Sequence, residues 1–518
     1  MKIKITEPYI WLPVDNRREE KKIHFYIDGK KIEEIDIRLG GTDCDFYACC
    51  DVSSYLNKTL EIVGHGAEHM LDGIFCWPEK PQHVYPFRPQ LHFAPEVGWH
   101  NDPNGLIYAN GVYHLYYQWN PYGVGWGNMH WGHAVSKDMI RWEHCPVVLK
   151  PDETGTAYSG CAIQDKNNLA GFGKDALLYY YTAAGGRNEW SRSRGNLFTQ
   201  RLAYSLDNGQ TLKVSDKFKI EHIVNENRDP KVFYHEPTKA YIQVLYLDEN
   251  EFVLYRSEDL LEWKEIQRLD FHGMWECPDL FELNVINEDN KKKWVFWSAD
   301  GYYVIGDFDG YTFKAESSVQ NAYSSKLPYA AQSFSGIEGR VVNTAWLRLK
   351  NVRGHYCGLM SIPTELALKK TDKGYRMCFR PVRELESYRG KENSFETNPE
   401  VIQLKLQGNP VRIDFSWDAP EEGRTKAVIQ NIEMTADFNS GCIRFQDRST
   451  GEEISYITLR KGEKTKLSLI IDQEVIEFFG NDGTIYGMAE TEENVLKQKL
   501  HITMDAPKTS VTWYEYHI

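Results

Sequence analysis

The sequence predicts an all-β chain: a five-bladed β-propeller, a small N-terminal β domain before it and a C-terminal β-sandwich after it. Three observations lead there. Between about 86 and 385, short aromatic strands alternate with turns, and almost nothing shows the 3.6-residue apolar period of an amphipathic helix. An imperfect repeat runs through that region. Ser136-Lys137-Asp138-Met139-Ile140-Arg141-Trp142 returns as Ser257-Glu258-Asp259-Leu260-Leu261-Glu262-Trp263, with looser copies from Tyr204 to Thr211 and from Gly306 to Phe313. The copies lie roughly 50 to 70 residues apart, the length of a four-stranded blade with added loops, so a segment of about 300 residues holds about five blades. On both sides of it, apolar residues alternate with polar ones at the period of two that marks half-buried strands.

In chain order, residues 1–85 read as a β-sandwich-like accessory domain. Ile23, Phe25 and Ile27 alternate with polar neighbours, Asp28-Gly29-Lys30 is a hairpin turn, and Ile35 and Ile37 resume the pattern. Asp51 to Leu56 reads as a short helix or turn, and the Pro-rich run from Trp77 to Pro81, continuing to Pro89, as a linker. Residues 86–385 form the propeller. Within it, Trp99-His100-Asn101-Asp102-Pro103-Asn104-Gly105 reads as a turn opening onto strands, and Asn290-Lys291-Lys292-Lys293 as a solvated hairpin tip. Residues 386–518 read as a sandwich of seven or eight strands, among them Val411 to Phe415, Lys466 to Ile471, Val475 to Phe479 and Val511 to Tyr516, with a hairpin turn at Asn481-Asp482-Gly483.

At 518 residues the chain is long enough for two or three domains. A net charge of -14 argues against nucleic acid or an anionic membrane as partner. The aromatic content of 13% suits a protein that stacks sugar rings, and equally a β-rich core. Residues Met1 to Pro8 lack the apolar core of a signal peptide, so a cytoplasmic location is expected, unless a leader has been trimmed. The 10 cysteines show no paired metal spacing and read as buried or free thiols.

Three carboxylates stand out by their company. Asp102 lies in the turn-like stretch above, Asp229 in Asn227-Arg228-Asp229-Pro230, and Glu276 in Met274-Trp275-Glu276-Cys277-Pro278-Asp279, each followed by strand-like residues. The innermost strand of a blade begins at the central channel, so three such junctions on separate blades would converge on one funnel. Two carboxyl groups beside a glycosidic bond are the minimum apparatus for its hydrolysis. Trp275 and Cys277 predict a poorly solvated setting for Glu276, which raises a carboxyl pKa and suits an acid. His114, His130 and His133, at strand spacing beside Trp131, read as packing groups, and the turn Asp307-Phe308-Asp309-Gly310 has too few ligands for calcium. No metal or cofactor is expected.

The strings around Asp102, Asp229 and Glu276 resemble the three signature motifs of glycoside hydrolase family 32, the invertase, inulinase and levanase family. Further matches are Tyr117-Gln118-Trp119-Asn120-Pro121, Trp126-Gly127-Asn128-Met129-His130-Trp131-Gly132-His133, Tyr158-Ser159-Gly160 and Tyr329-Ala330-Ala331-Gln332-Ser333-Phe334, in the family's order. The resemblance implies a retaining enzyme that cleaves β-D-fructofuranosidic bonds of levan, inulin, fructo-oligosaccharides or sucrose. In it Asp102 is the nucleophile, Glu276 the acid/base and Asp229 the transition-state stabiliser, while Asn101, Gln118, Trp126, Ser159 and Arg228 line the subsite for the fructosyl unit. The first 85 residues fall outside the shared core and look like a domain appended in some bacterial fructanases. His100 and Asn227 depart from the pattern, where an apolar residue and Phe are usual; both flank the motifs. Exo action on short oligosaccharides is expected from a funnel-shaped site. Rival readings are a fructosyltransferase using the same acids, an arabinan-type furanosidase, and a non-catalytic fructan-binding protein. The expected partner is a fructoside oligosaccharide or polysaccharide, and the sandwich domains offer a surface for oligomerisation.

Overall fold

In the computed structural model, the chain is described from Met1 to Ile518 apart from residues 42, 67, 397–400, 461 and 507–508. Among the described residues, strands dominate, and the one α-helix is the short Glu189–Ser193. Five sheets, each built on four antiparallel strands, follow one another as propeller blades. Their innermost strands are Gly98–Ala109, Thr156–Asp165, Arg228–His235, Asp279–Asn284 and Pro328–Ser333. The first blade is completed by Tyr356–Cys357, which runs parallel to Gly98–Ala109 and ties the end of the propeller to its start.

The repeat has a physical cause. In three of the four copies a serine at the end of the third strand bonds an aspartate two residues on: Ser136 Oγ to Asp138 at 3.0 Å, Ser205 to Asp207 at 2.7 Å, and Ser257 to Asp259 at 3.1 Å. The aspartate then accepts backbone N–H groups of the turn, as Asp138 does from Ile140 and Arg141 and Asp259 from Leu261 and Glu262. These Asx-type turns deliver the chain to each blade's fourth strand. Asp309, in the fourth blade, caps its turn likewise through Tyr311 and Thr312.

Apolar clusters fill the spaces between blades. Tyr116, Trp131, Leu177 and Tyr179 pack between the first and second, Leu178, Tyr180, Val232 and Tyr241 between the second and third, and Ile242, Leu254, Leu280 and Phe296 between the third and fourth. The N-terminal module is two facing sheets, of four and three strands, around Ile10, Leu12, Ile23, Phe25, Leu60 and Ile62. Its hairpin joins Lys21–Ile27 to Lys30–Ile37 through Asp28 and Gly29, both at positive φ (52° and 76°), the backbone a two-residue turn between twisted strands requires.

Four features differ from the sequence reading. The stretch around Asp102 is part of the continuous strand Gly98–Ala109, with bulges where a turn was expected. Trp77 belongs to strand Phe75–Trp77, paired with Tyr9–Val14, so the linker starts after it. Among the described residues, the sandwich has twelve strands in two six-stranded sheets, where seven or eight were expected. The strands missed, such as Ile432–Asp437, bury every second residue and leave the polar ones between them half-buried, with small Ala436 among the buried positions, so their alternation is weaker than in the strands that were read. Lys293 is a strand residue with its side chain nearly buried, paired with Asp307 at 3.0 Å and Glu316 at 2.6 Å, and not part of a solvated tip.

The propeller and sandwich are joined through His92, fully buried, with Nδ1 3.0 Å from Asp472 and Nε2 3.0 Å from Glu477. Asp472 also accepts the backbone N–H groups of Gln90, Leu91 and His92. Burial alone would lower the His92 pKa, but the hydrogen bonds to the two carboxylates outweigh it and hold the imidazole near 9. The folded pKa therefore lies above the unfolded value of about 6.5, so the stabilisation is complete below that pH and is lost as pH rises through about 9. Thermal melts should show the melting temperature falling between pH 7 and 9.5 in the parent chain. In His92→Gln that slope should flatten, on a base lowered by about 3 kcal/mol.

Candidate active site

Five inner strands converge on one end of the channel, and the way each is bent decides what it presents. The strand Gly98–Ala109 is bulged between His100 and Pro103, which turns Asn101 and Asp102 out of the ladder, and again between Asn104 and Ile107. Gly105 lies in the second bulge at φ +52°, where a Cβ would stand 2.7 Å from the Tyr116 ring, so no other residue fits. Thr156–Asp165 is bulged around Ser159, Arg228–His235 around Asp229, and Pro328–Ser333 after Tyr329. Glu276 and Cys277 lie in the loop before Asp279–Asn284. Asp229, Glu276, Cys277 and Ala330 all hold left-handed φ, from 42° to 64°. Backbone in such sparsely populated regions persists only where its surroundings over-determine it, and it gathers at functional sites.

All eight residues singled out from the sequence line one cavity of about 290 Å3, together with Tyr158, Arg187, Glu226, Tyr329 and Trp346. Asp102 is held by two donors: Ser159 Oγ at 2.6 Å and Asn101 Nδ2 at 3.1 Å, with Asn101 itself fixed by Trp99 Nε1 at 3.0 Å. Gln118 donates to Ala157 O at 2.9 Å and is buried beside them. Asp229 accepts the Cys277 N–H at 3.0 Å, and its own N–H donates to Thr182 Oγ1 at 3.1 Å. The Cys277 thiol reaches both Asp229 (3.5 Å) and Asp102 (3.8 Å), linking two blades. Glu276 accepts from Arg228 Nη2 at 2.8 Å and from the Tyr329 hydroxyl at 2.9 Å, which Trp275 Nε1 orients at 3.0 Å. Trp126 stands at the mouth, 54% exposed.

The poorly solvated setting expected at Glu276 falls elsewhere. Its side chain keeps 30% exposure and two strong partners, because the Trp275 ring turns away to bond Tyr329. Burial instead acts on the two aspartates. It raises Asp102 against the opposing pull of Ser159 and Asn101. It pushes Asp229 up to about 7, although Arg228, with Nε 3.8 Å away, pulls the other way. Burial and the neighbouring carboxylates keep the Cys277 thiol protonated.

Of the two departures from the motif pattern, His100 is fully buried beside Phe93 and Tyr117, and burial lowers its pKa to about 3, so it serves as a neutral packing ring. Asn227, also fully buried, accepts the N–H groups of Ile223 and Val224 through Oδ1 and closes the turn before Arg228. Asp229, Glu276 and Cys277 offer ligand atoms within 4.8 Å of one another, but the Arg228 guanidinium already supplies positive charge there. His114 and His133 stack on each other, and His130 bonds the Asn128 carbonyl. Tyr329 and Glu226 were within reach of the sequence, one inside a matched motif and the other beside Asn227-Arg228. Arg187 and Trp346 carried no local signal.

The arrangement is suited to a double displacement: a fixed carboxylate lining the cavity, a second in contact with a tyrosine hydroxyl and a cation, and a third that accepts hydrogen bonds. A family model described as the glycosyl hydrolases family 32 N-terminal domain matches residues 92–381. The chain is 36% identical over 451 residues to a levanase of Bacillus subtilis (strain 168), an alignment spanning 77% of this chain and 65% of that levanase's length. It is 29% identical over 475 residues to an extracellular exo-inulinase of Aspergillus awamori, across 77% of this chain and 88% of the other. The crystal structure of exo-inulinase from Aspergillus awamori superposes with a TM-score of 0.73 at 25% identity, covering 84% of this chain and 99% of that one.

A folded-state pKa near 7 for Asp229, against an ordinary value of about 3.9, means that ionising it opposes folding. The penalty is absent below about pH 4 and complete above about pH 7. Asp229→Asn should therefore be more stable than the parent chain at pH 8, by an amount on the order of 2–4 kcal/mol, and nearly equal to it at pH 4. Denaturant unfolding at the two pH values measures the difference; an equal gap at both would assign the stabilisation to something other than charge.

Proposed function

The chain belongs to glycosyl hydrolase family 32, and from that membership we propose that it is a retaining β-fructofuranosidase, exo-acting on fructo-oligosaccharides, levan, inulin or sucrose. The observation that carries this reading is the meeting of Asp102, Asp229 and Glu276, from three separate blades, in one cavity with Arg228. Asp102 attacks the anomeric carbon of the fructosyl unit. Ser159 and Asn101 hold its two oxygens, so the attack needs no reorganisation. Glu276 protonates the leaving oxygen. Tyr329 and Arg228 fix its carboxyl for that step and for the return step, in which it takes a proton from water. Asp229 accepts hydrogen bonds from fructosyl hydroxyls that strengthen as positive charge develops on the ring. Gln118 and Trp126 bound the unit on the side of the first blade.

Exo action is supported by size. A cavity of about 290 Å3, at the small end for ligand pockets, favours the terminal end of a chain over its interior. The names of the relatives point to both levan and inulin linkages, so the reading covers both.

Early time points on levan, inulin and a fructo-oligosaccharide should contain free fructose alone, released first as the β-anomer by NMR. A ladder of oligosaccharides would mean an open groove, and an α-anomer a single displacement. Asp102→Asn should lose on the order of 10⁴-fold in kcat. Glu276→Gln should lose most on substrates with poor leaving groups and least on activated ones.

A further inference from the structure

Two charged side chains at the mouth have no part in those steps. Arg187 sits between strand Ala176–Ala184 and the helix Glu189–Ser193 of the second blade, and Glu226 precedes the first strand of the third. Their side chains form an ion pair across the gap between the blades, and each remains about two-fifths exposed, at 40% and 44%. Both line the cavity that holds Asp102, Asp229 and Glu276.

Each partner is anchored from behind. On the third blade, the turn closed by buried Asn227 fixes the backbone of Glu226, and Arg228 Nη1 donates to the Glu226 carbonyl at 2.7 Å. The same guanidinium bonds Glu276 through Nη2, so Glu226 lies one guanidinium away from the acid/base group. On the second blade, the anchor comes from the N-terminal module. Glu34 accepts the backbone N–H groups of Glu189 and Trp190 at 2.7 and 3.0 Å, one turn past Arg187. Lys22 and Lys31 each hold Glu34 at 3.2 Å, and Lys31 lies over the Trp190 ring. The Arg187 guanidinium rests on the Phe198 ring.

Granted the fructoside reading of the site, we propose that the Arg187–Glu226 pair is the contact for the leaving-group sugar, and that the N-terminal module positions it through Glu34. The deep side chains around Asp102 surround the fructosyl unit, and Glu276 marks the scissile oxygen, so a pair beyond Glu276 at the mouth faces the unit that departs. A carboxylate accepts from ring hydroxyls and a guanidinium donates to their oxygens. Charge-assisted bonds of this kind are about twice as strong as neutral ones. Because each charge compensates the other, a neutral polyol gains them without leaving an unpaired charge. The pair thus favours a hydroxyl-bearing leaving group over an alcohol that lacks one, and the accessory module becomes part of the specificity of the site.

The test compares methyl β-D-fructofuranoside, whose leaving group is methanol, with sucrose and a fructosyl-fructose disaccharide. Arg187→Ala and Glu226→Gln should each lose about tenfold or more in kcat/KM on the disaccharides relative to their change on the methyl fructoside. Glu34→Gln should show the same bias, mainly through KM, although it touches no substrate. Equal losses on all three substrates would overturn the proposal and assign the pair to the chemistry through Arg228. No loss on any would remove it from the site, and a Glu34→Gln variant without the bias would remove the module. Melting temperatures of the variants verify folding. A parent chain that cleaves none of the fructosides would instead refute the underlying reading, before any variant is compared.

Discussion

The guanidinium of Arg228 is what allows three carboxyl groups to share one cavity. Asp102 and Asp229 lose most of their water there, and removing a carboxylate from water without a partner costs several kcal/mol. Arg228 is itself largely buried, bonded to Glu276, within 3.8 Å of Asp229, and stacked over the Tyr246 ring. One cation cannot neutralise three anions. The remainder is carried by donors at Ser159, Asn101, Tyr329 and the Cys277 amide, and by a proton held on Asp229 up to about pH 7. A site balanced in this way is ready to accept the positive charge that develops on a fructosyl ring in the transition state.

That balance fixes the backbone around it. Four of the five innermost strands are bulged where they reach the cavity, and the fifth is preceded by two residues at left-handed φ. A regular strand would point alternate side chains into the neighbouring blades. A bulge turns one residue out of that alternation and into the channel without breaking the rest of the ladder. The apolar packing between blades, with buried Trp131, Tyr116, Tyr179 and Tyr180, supplies the rigidity against which this strain is held.

The flanking modules are joined to this frame by charge as much as by packing. His92, between Asp472 and Glu477, ties the entry of the propeller to the sandwich. On the N-terminal side, Lys150 pairs with Glu33 at 2.7 Å, Asn128 bonds both backbone groups of Asp36, and Glu34 holds the helix beside Arg187. Two of these N-terminal contacts, at Asn128 and at Glu189 and Trp190, fall within three residues of Trp126 and Arg187, which line the cavity, so that module supports the site from outside its lining.

The sequence by itself determined the strand alternation, the Asp28-Gly29 hairpin, the repeated serine–aspartate turns, and the residues of the cavity floor. These are local: a period of two, a pair of turn residues or a short motif needs only near neighbours to express itself. Tertiary structure decided what depends on distant partners. It made the stretch around Asp102 a bulged strand rather than a turn, because Val112–Asn120 pairs along its whole length. It placed burial on Asp229 and not on Glu276, because Trp275 found Tyr329, 54 residues away. It buried Lys293 between Asp307 and Glu316, and it brought Arg187 to Glu226 across two blades. Desolvation and ion pairing are set by what surrounds a side chain in space, which residue order alone does not express.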